Sequence, residues 1–166
     1  MKTLSTLLFV LIFSVTSIIA QGSLTENTQD YVDAFVNNEF VKVASLTHPD
    51  LVKMNGGEKY VIEDLKRERL STSGEGLIYN SADVKSPLKI LEHNGELQAV
   101  VPVEYTMQLA EKEYTNKTYI LAISKDEGKT YTFVNLMQFD DDSLGEFIGN
   151  LSPEITIPQD GGFTEK

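Results

Sequence analysis

His48 and Asp50 flank Pro49, a spacing at which an imidazole could serve as a base and the carboxylate as the group that orients it. The same residues fit a plain turn in which Asp50 accepts hydrogen bonds from nearby backbone N–H groups. Asp140-Asp141-Asp142 invites a calcium reading. An EF-hand loop would need an oxygen ligand at 144 and a glutamate at 151, and Leu144 and Leu151 stand there instead. Negative charge at the start of a following helix accounts for the run, and no metal site is expected. Asn116-Lys117-Thr118 and Asn150-Leu151-Ser152 are glycosylation sequons, which matter only in a source that uses them. G-x-S-x-G, H-E-x-x-H and phosphate-binding loops are absent, and no cofactor is expected. The chain has no cysteine, which excludes disulfides, thiolate catalysis and cysteine-based zinc sites.

Ser124 to Tyr131 matches the Asp-box pattern S-x-D-x-G-x-T-aromatic, which resembles the turns of sialidases and other β-propellers. In those proteins the motif recurs once per blade. Here it occurs once, in a chain too short for a propeller of four-stranded blades. Its expected role is structural: Ser124 and Asp126 brace a hairpin turn and Gly128 takes a positive φ.

The chain has 166 residues, which favours one domain. Residues 1–22 read as a secretory signal. Lys2 opens it, Leu4 to Ala20 is an apolar run, and Ala20-Gln21-Gly22 offers small residues at the cleavage positions. The alternative is an uncleaved anchor, but a run of about 17 residues is marginal for spanning a bilayer. A secreted or periplasmic protein with no stable membrane insertion is expected. The leader's one charge is Lys2, so the rest carries 13 basic against 25 acidic side chains, a net charge of −12. Such a field repels nucleic-acid phosphates and anionic lipid heads, and no nucleic-acid partner is expected.

Thr28 to Leu70 supplies the elements that would position chemistry. Thr28 to Asn37 places Tyr31 with Phe35, and Val32 with Val36, on one helical face. Asn37-Asn38 tolerates a left-handed stop. Glu39 to Leu46 resumes helical spacing through Phe40, Val43 and Ala44, and ends before Pro49. Leu51 to Asn55 reads as a short strand or extended link, and Gly56-Gly57 as a sharp turn. Glu58 to Leu70 reads as a third helix.

Near residue 76 the apolar period changes to two. Leu97, Ala99, Val101, Val103, Tyr105, Met107 and Leu109 fall on alternate positions of one long half-buried strand. Pro102 lies inside it and predicts a bulge or bend. Gly76 to Val84 is a further strand. Leu88 to His93 joins the long one through an Asn94-Gly95 hairpin. Glu113 to Ser124 and Lys129 to Gln138 form a second hairpin. Ser143 and Glu146 have the spacing of a capping box, and the Gly-rich end is expected to fray. About five strands after about three helices make an α+β pattern.

The run Tyr31-Val32-Asp33-Ala34-Phe35, the break Asn37-Asn38-Glu39, the second run Phe40 to Ala44, then Thr47-His48-Pro49-Asp50-Leu51-Val52 and Gly56-Gly57, resembles the nuclear transport factor 2-like superfamily over residues 28–138. The resemblance implies a cone-shaped α+β roll: helices on a strongly bent antiparallel sheet, with a pocket between them. It implies a domain over 23–145 and a partly flexible tail over 146–166. Members range from isomerases and dehydratases to binding modules, and fold does not choose among them. No catalytic set of that family aligns here, so no catalytic residue is assigned.

Tyr31, Phe35, Tyr60, His93, Tyr105 and Asn135 are the candidates for the pocket lining, each also readable as an ordinary core or surface residue. The resulting expectation is non-catalytic: binding of a small apolar or amphipathic molecule, or service as an interaction module. The alternative is an isomerase or dehydratase using polar residues inside the cone. Val134 and Leu136 alternate with Tyr131, Phe133 and Met137, which gives the last strand apolar groups on both faces and predicts a homodimer through the sheet's outer face.

Overall fold

Among the described residues, helical spacing in the first part of the chain yields four helices, and the two-residue rhythm that follows yields a sheet. The computed structural model describes residues 22–139, 141–159 and 161–166. The expected leader thus falls almost wholly outside the described residues, as does Asp140.

Helix α1 covers residues 22–36 and buries Leu24, Thr28, Tyr31 and Val32 along one stripe. The buried Thr28 hydroxyl donates to the Leu24 carbonyl at 2.7 Å, which removes the cost of hiding it. Asn38 ends the helix at φ 62°. The Asn38 and Glu39 N–H groups donate to Phe35 O and Ala34 O, the bond pair of a Schellman stop with asparagine in the left-handed position.

Helix α2 (Phe40–Leu46) buries Phe40, Val43 and Ala44. Pro49 holds the preceding chain out of helical geometry. Leu51 to Asn55 was expected to be extended, and instead Pro49–Met54 forms helix α3. Pro49 sits where a helix start tolerates its missing N–H, and His48 is the N-cap, its side chain accepting from Asp50 N. The signals that stop α2 also start α3. Gly56 and Gly57 turn the chain at φ 87° and 118°, and helix α4 runs through Glu58–Gly74, one turn past its expected end.

The sheet is open, antiparallel and six-stranded. Strand β3 (Glu96–Leu109) and β4 (Lys112–Ser124) form its centre. The free edge of β3 takes β1 (Leu77–Val84) and β2 (Ile90–His93) in succession. The free edge of β4 takes β5 (Thr132–Asn135) and β6 (Phe163–Glu165). Asn94 and Gly95 have φ 48° and 81°, as their hairpin requires.

Pro102 causes no bulge: it pairs with Tyr119 in an unbroken β3–β4 register. Its carbonyl accepts from Lys85 N on the other side, so its missing N–H faces the interval between β1 and β2, where no ladder bond is needed. The irregularity lies in β1, between Tyr79 and Ser81. Lys129 to Gln138 is not one strand, because β5 gives way at Asn135 to a 3-10 turn over Leu136–Gln138.

Two apolar clusters lie on opposite faces of this sheet. Odd residues of β3 (Val101, Val103, Tyr105, Met107) and even residues of β4 (Ile120, Ala122) face α1 and α2. The outer face carries Val100, Leu121, Ile123, Val134 and Leu136, covered by Leu144 and Ile148. Leu144 belongs to helix α5 (Asp141–Phe147), which starts before Ser143, so Ser143 is not its cap. Beyond α5, Leu151, Ile155 and Ile157 pack on the same cluster. Each fully buried Leu or Ile here is worth about 1.5–3 kcal/mol. Fully buried Gln98 fixes this tail, donating to Asn150 O at 2.6 Å and accepting from Ser152 N at 2.8 Å. Ile148, Leu151, Ile155 and Ile157 thus pack onto the sheet, and β6 pairs with Tyr114 to Asn116. No described helix is long and apolar enough to cross a membrane.

Candidate ligand-binding cavity

Between the helices and the inner sheet face lies a cavity of about 190 Å³. Helix α1 contributes Tyr31 and Phe35, whose spacing of four puts both on the buried stripe. Tyr79 of β1, Tyr105 and Met107 of β3, and Asn116 and Ile120 of β4 form the sheet wall. Helix α4 supplies Val61, Leu65, Asp64 and Glu68, and Asn135, Met137 and Phe139 complete the lining.

Phe35, Tyr79 and Tyr105 form a mutual edge-to-face cluster, with centroid separations of 5.3, 5.9 and 5.6 Å. Such ring pairs add about 0.5–1.5 kcal/mol to their burial. Tyr31 instead stacks on Phe133 at 4.7 Å. Burial pushes the Tyr31 phenol up to about 12, against the opposing hydrogen bond with Thr47. Tyr105 and Tyr79 are raised chiefly by burial as well, and the Glu68 carboxylate adds to both. These hydroxyls stay protonated at neutral pH.

Arg69 lies on the far side of Tyr79, in a shallow groove with Val36, Phe40 and Leu77. Its guanidinium stands 4.7 Å over the Phe35 ring and 4.5 Å over the Tyr79 ring, and donates to Phe35 O at 2.7 Å. Partial burial lowers its pKa from the ordinary arginine value. The residues lining the cavity include no lysine, arginine or histidine.

Asn116 lines the cavity and is 7% exposed; its Oδ1 and the hydroxyl oxygen of Thr118, two residues on along the same face of β4, are buried without hydrogen-bond partners. Native proteins pair nearly all buried polar atoms, so such an atom calls for an explanation. The other amides are engaged: Asn55 donates to Leu51 O at 2.9 Å, and Asn135 accepts from Met137 N at 3.1 Å. Asn116 heads the first sequon, yet it and Thr118 are buried, which leaves no room for a glycan in the folded chain.

Of the six residues singled out from sequence, Tyr31, Phe35, Tyr105 and Asn135 line this cavity. Tyr60 does not: it is 53% exposed, and its ring lies over Gly56. His93 does not either; it sits at the β2–β3 hairpin, with Nε2 3.1 Å from the Asn94 amide. Tyr79, Asn116, Asp64 and Glu68 were missed. The parity of β4 could have found Asn116, which shares its face with Ile120 and Ala122.

His48 is spent on structure. Its Nδ1 accepts from Asp50 N at 3.3 Å, and burial lowers its pKa below the ordinary histidine value, with the Asp50 carboxylate opposing. Asp50 also accepts from Gly149 N at 3.4 Å, linking α3 to the end of α5. The Asp-box turn is likewise structural. Asp126 accepts from Lys129 N, Thr130 N and the Thr130 hydroxyl, while the Ser124 hydroxyl donates to Asp126 and accepts from Gly128 N. Among the described residues no cluster of potential ligands could hold a metal ion. No family model and no curated protein matches this chain.

Proposed function

We propose that this chain is an exported, non-catalytic binding protein whose cavity takes one small apolar or amphipathic molecule. The observation that carries the reading is the aromatic-walled cavity of about 190 Å³ between the helices and the inner sheet face. Mostly apolar cavities with few polar groups are where proteins bind small molecules. Neither histidine lines it; of its two carboxylates, Asp64 is paired with Arg67 and Glu68 is exposed.

The fold we propose is a nuclear transport factor 2-like roll. Supporting it are the order of helices then meander, the packing of α1 on the inner sheet face and the cavity between them. Export rests on the leader-like residues 1–22. The sequence argument for a homodimer through the outer face loses its basis, because Val134 and Leu136 are buried under the chain's own α5 and tail. The proposal is therefore made for the single chain.

Native mass spectrometry of protein from its own source tests the binding reading. A retained small-molecule adduct, lost on mild acid denaturation, is expected. A bare protein mass, together with no rise in Tm on adding the single-ring probe benzyl alcohol, would remove the reading.

A further inference from the structure

We infer that the cavity's ligand is a neutral molecule of roughly one ring that carries a carbonyl-type acceptor oxygen, and that the Tyr105 hydroxyl donates to that oxygen. This inference rests on the binding reading above and specifies its ligand. Size comes first: a dry cavity of about 150 Å³ admits benzene, so about 190 Å³ admits one ring with a short substituent.

Hydrogen bonding then selects among such molecules. Tyr31, Tyr79 and Tyr105 bring phenols to the cavity. The Tyr31 hydroxyl is engaged with Thr47. The Tyr105 hydroxyl has no hydrogen-bond partner among the described residues, although the residue is only 8% exposed. Among the described residues, the side-chain oxygens that lack both a partner and accessible surface are those of Asn116 and Thr118. The Tyr105 hydroxyl is not one of them, so it opens onto free space, and the space that Tyr105 lines is the cavity. Tyr79, edge-to-face with Tyr105 at 5.6 Å, likewise has a hydroxyl with no partner among the described residues. A protonated phenol offers an O–H that a buried site must answer. A ligand oxygen answers it, and a hydrocarbon does not.

Charge sets aside the ionic alternatives. The ionic groups lining the cavity are Asp64 and Glu68, both acidic, and the chain's net charge is −11, so an anionic ligand meets repulsion. A cation gains little. The Arg69 guanidinium already stands 4.7 Å over the Phe35 ring and 4.5 Å over the Tyr79 ring. Asp64 is matched by Arg67 at 2.6 Å, and Glu68 is exposed, where water and salt screen its charge. A neutral ketone, aldehyde or ester oxygen is what the free phenol fits.

Isothermal titration at pH 7 with acetophenone, ethylbenzene, benzoate and benzylamine tests this, because the four share a ring and differ in the group it carries. Acetophenone is expected to bind about fivefold more tightly than ethylbenzene, the scale of one hydrogen bond, and more tightly than either ion. In Tyr105→Phe the acetophenone affinity should fall to that of ethylbenzene, whose own affinity should not change. The substitution keeps the ring and removes a hydroxyl that pairs with no described residue, so the fold is retained. Ethylbenzene matching acetophenone, an acetophenone preference that survives Tyr105→Phe, or either ion binding more tightly than acetophenone overturns the inference and leaves a cavity without that selectivity. Failure of all four probes to bind overturns the binding reading itself.

Discussion

Tyr105 and Asn116 stand directly opposite each other across the β3–β4 ladder, and both line the cavity. The cross-strand pair puts a phenol ring beside an amide whose oxygen has no donor. Buried without a donor, that oxygen is a stability cost. Asn116→Leu, similar in size and free of the unmet acceptor, should raise the unliganded protein's stability by about 1 kcal/mol, read as a shift in the urea midpoint. A loss of stability would mean that Asn116 is satisfied in the free protein.

Gln98 joins the sheet to the tail through two hydrogen bonds. Gln98→Ala leaves the buried Ser152 N–H without its acceptor and opens a cavity. The expected cost is about 2–4 kcal/mol. Amide hydrogen exchange should accelerate around Ile148 to Ile157 before it does so in β3.

His48 makes stability depend on pH. Its folded pKa is lowered by burial, so the unfolded chain takes up the proton first. The linked stability is fully present above the ordinary histidine value of 6.5 and is lost as pH falls from there toward the lower folded value. His48→Asn keeps a capping oxygen and removes the titration. The variant's Tm should fall less than that of wild type between pH 7.5 and 5.

Asp126 sets a second, more acidic window. Hydrogen bonds from Thr130, Ser124 and Lys129 hold its carboxyl at about 2, below the ordinary 3.8. Its contribution is present above 3.8 and is lost as pH falls through about 2. Asp126→Ala should lower Tm at neutral pH, and the gap to wild type should close toward pH 2, as a melting series across pH would reveal.

The inner face of β3 was legible because one face of a half-buried strand writes a period of two. The outer face was not. Val100, Leu121 and Ile123 are buried under Leu144, Ile148, Leu151, Ile155 and Ile157; the first four fall at helical spacing, but Gly145, Gly149 and Pro153 interrupt the run, so no single amphipathic element stood out. Helix α3 was hidden by its length, since six residues hold too few turns to show periodicity. In the cavity, Tyr31 and Phe35 were readable from helical spacing and Tyr105 from strand parity. Tyr60 was misplaced by one position: its neighbour Val61 faces inward, and a helix turns about 100° per residue. Asn116 was read only as the head of a sequon. Only the β3–β4 register places it opposite Tyr105.

The most direct test of a ligand-binding cavity is a nitrogen–proton correlation spectrum of the folded protein titrated with benzyl alcohol. Saturable shifts centred on the Asn116 side-chain amide and the backbone of Tyr79 and Tyr105 are expected. Shifts that do not saturate, or that centre on the groove around Leu70 and Ile78, would contradict it.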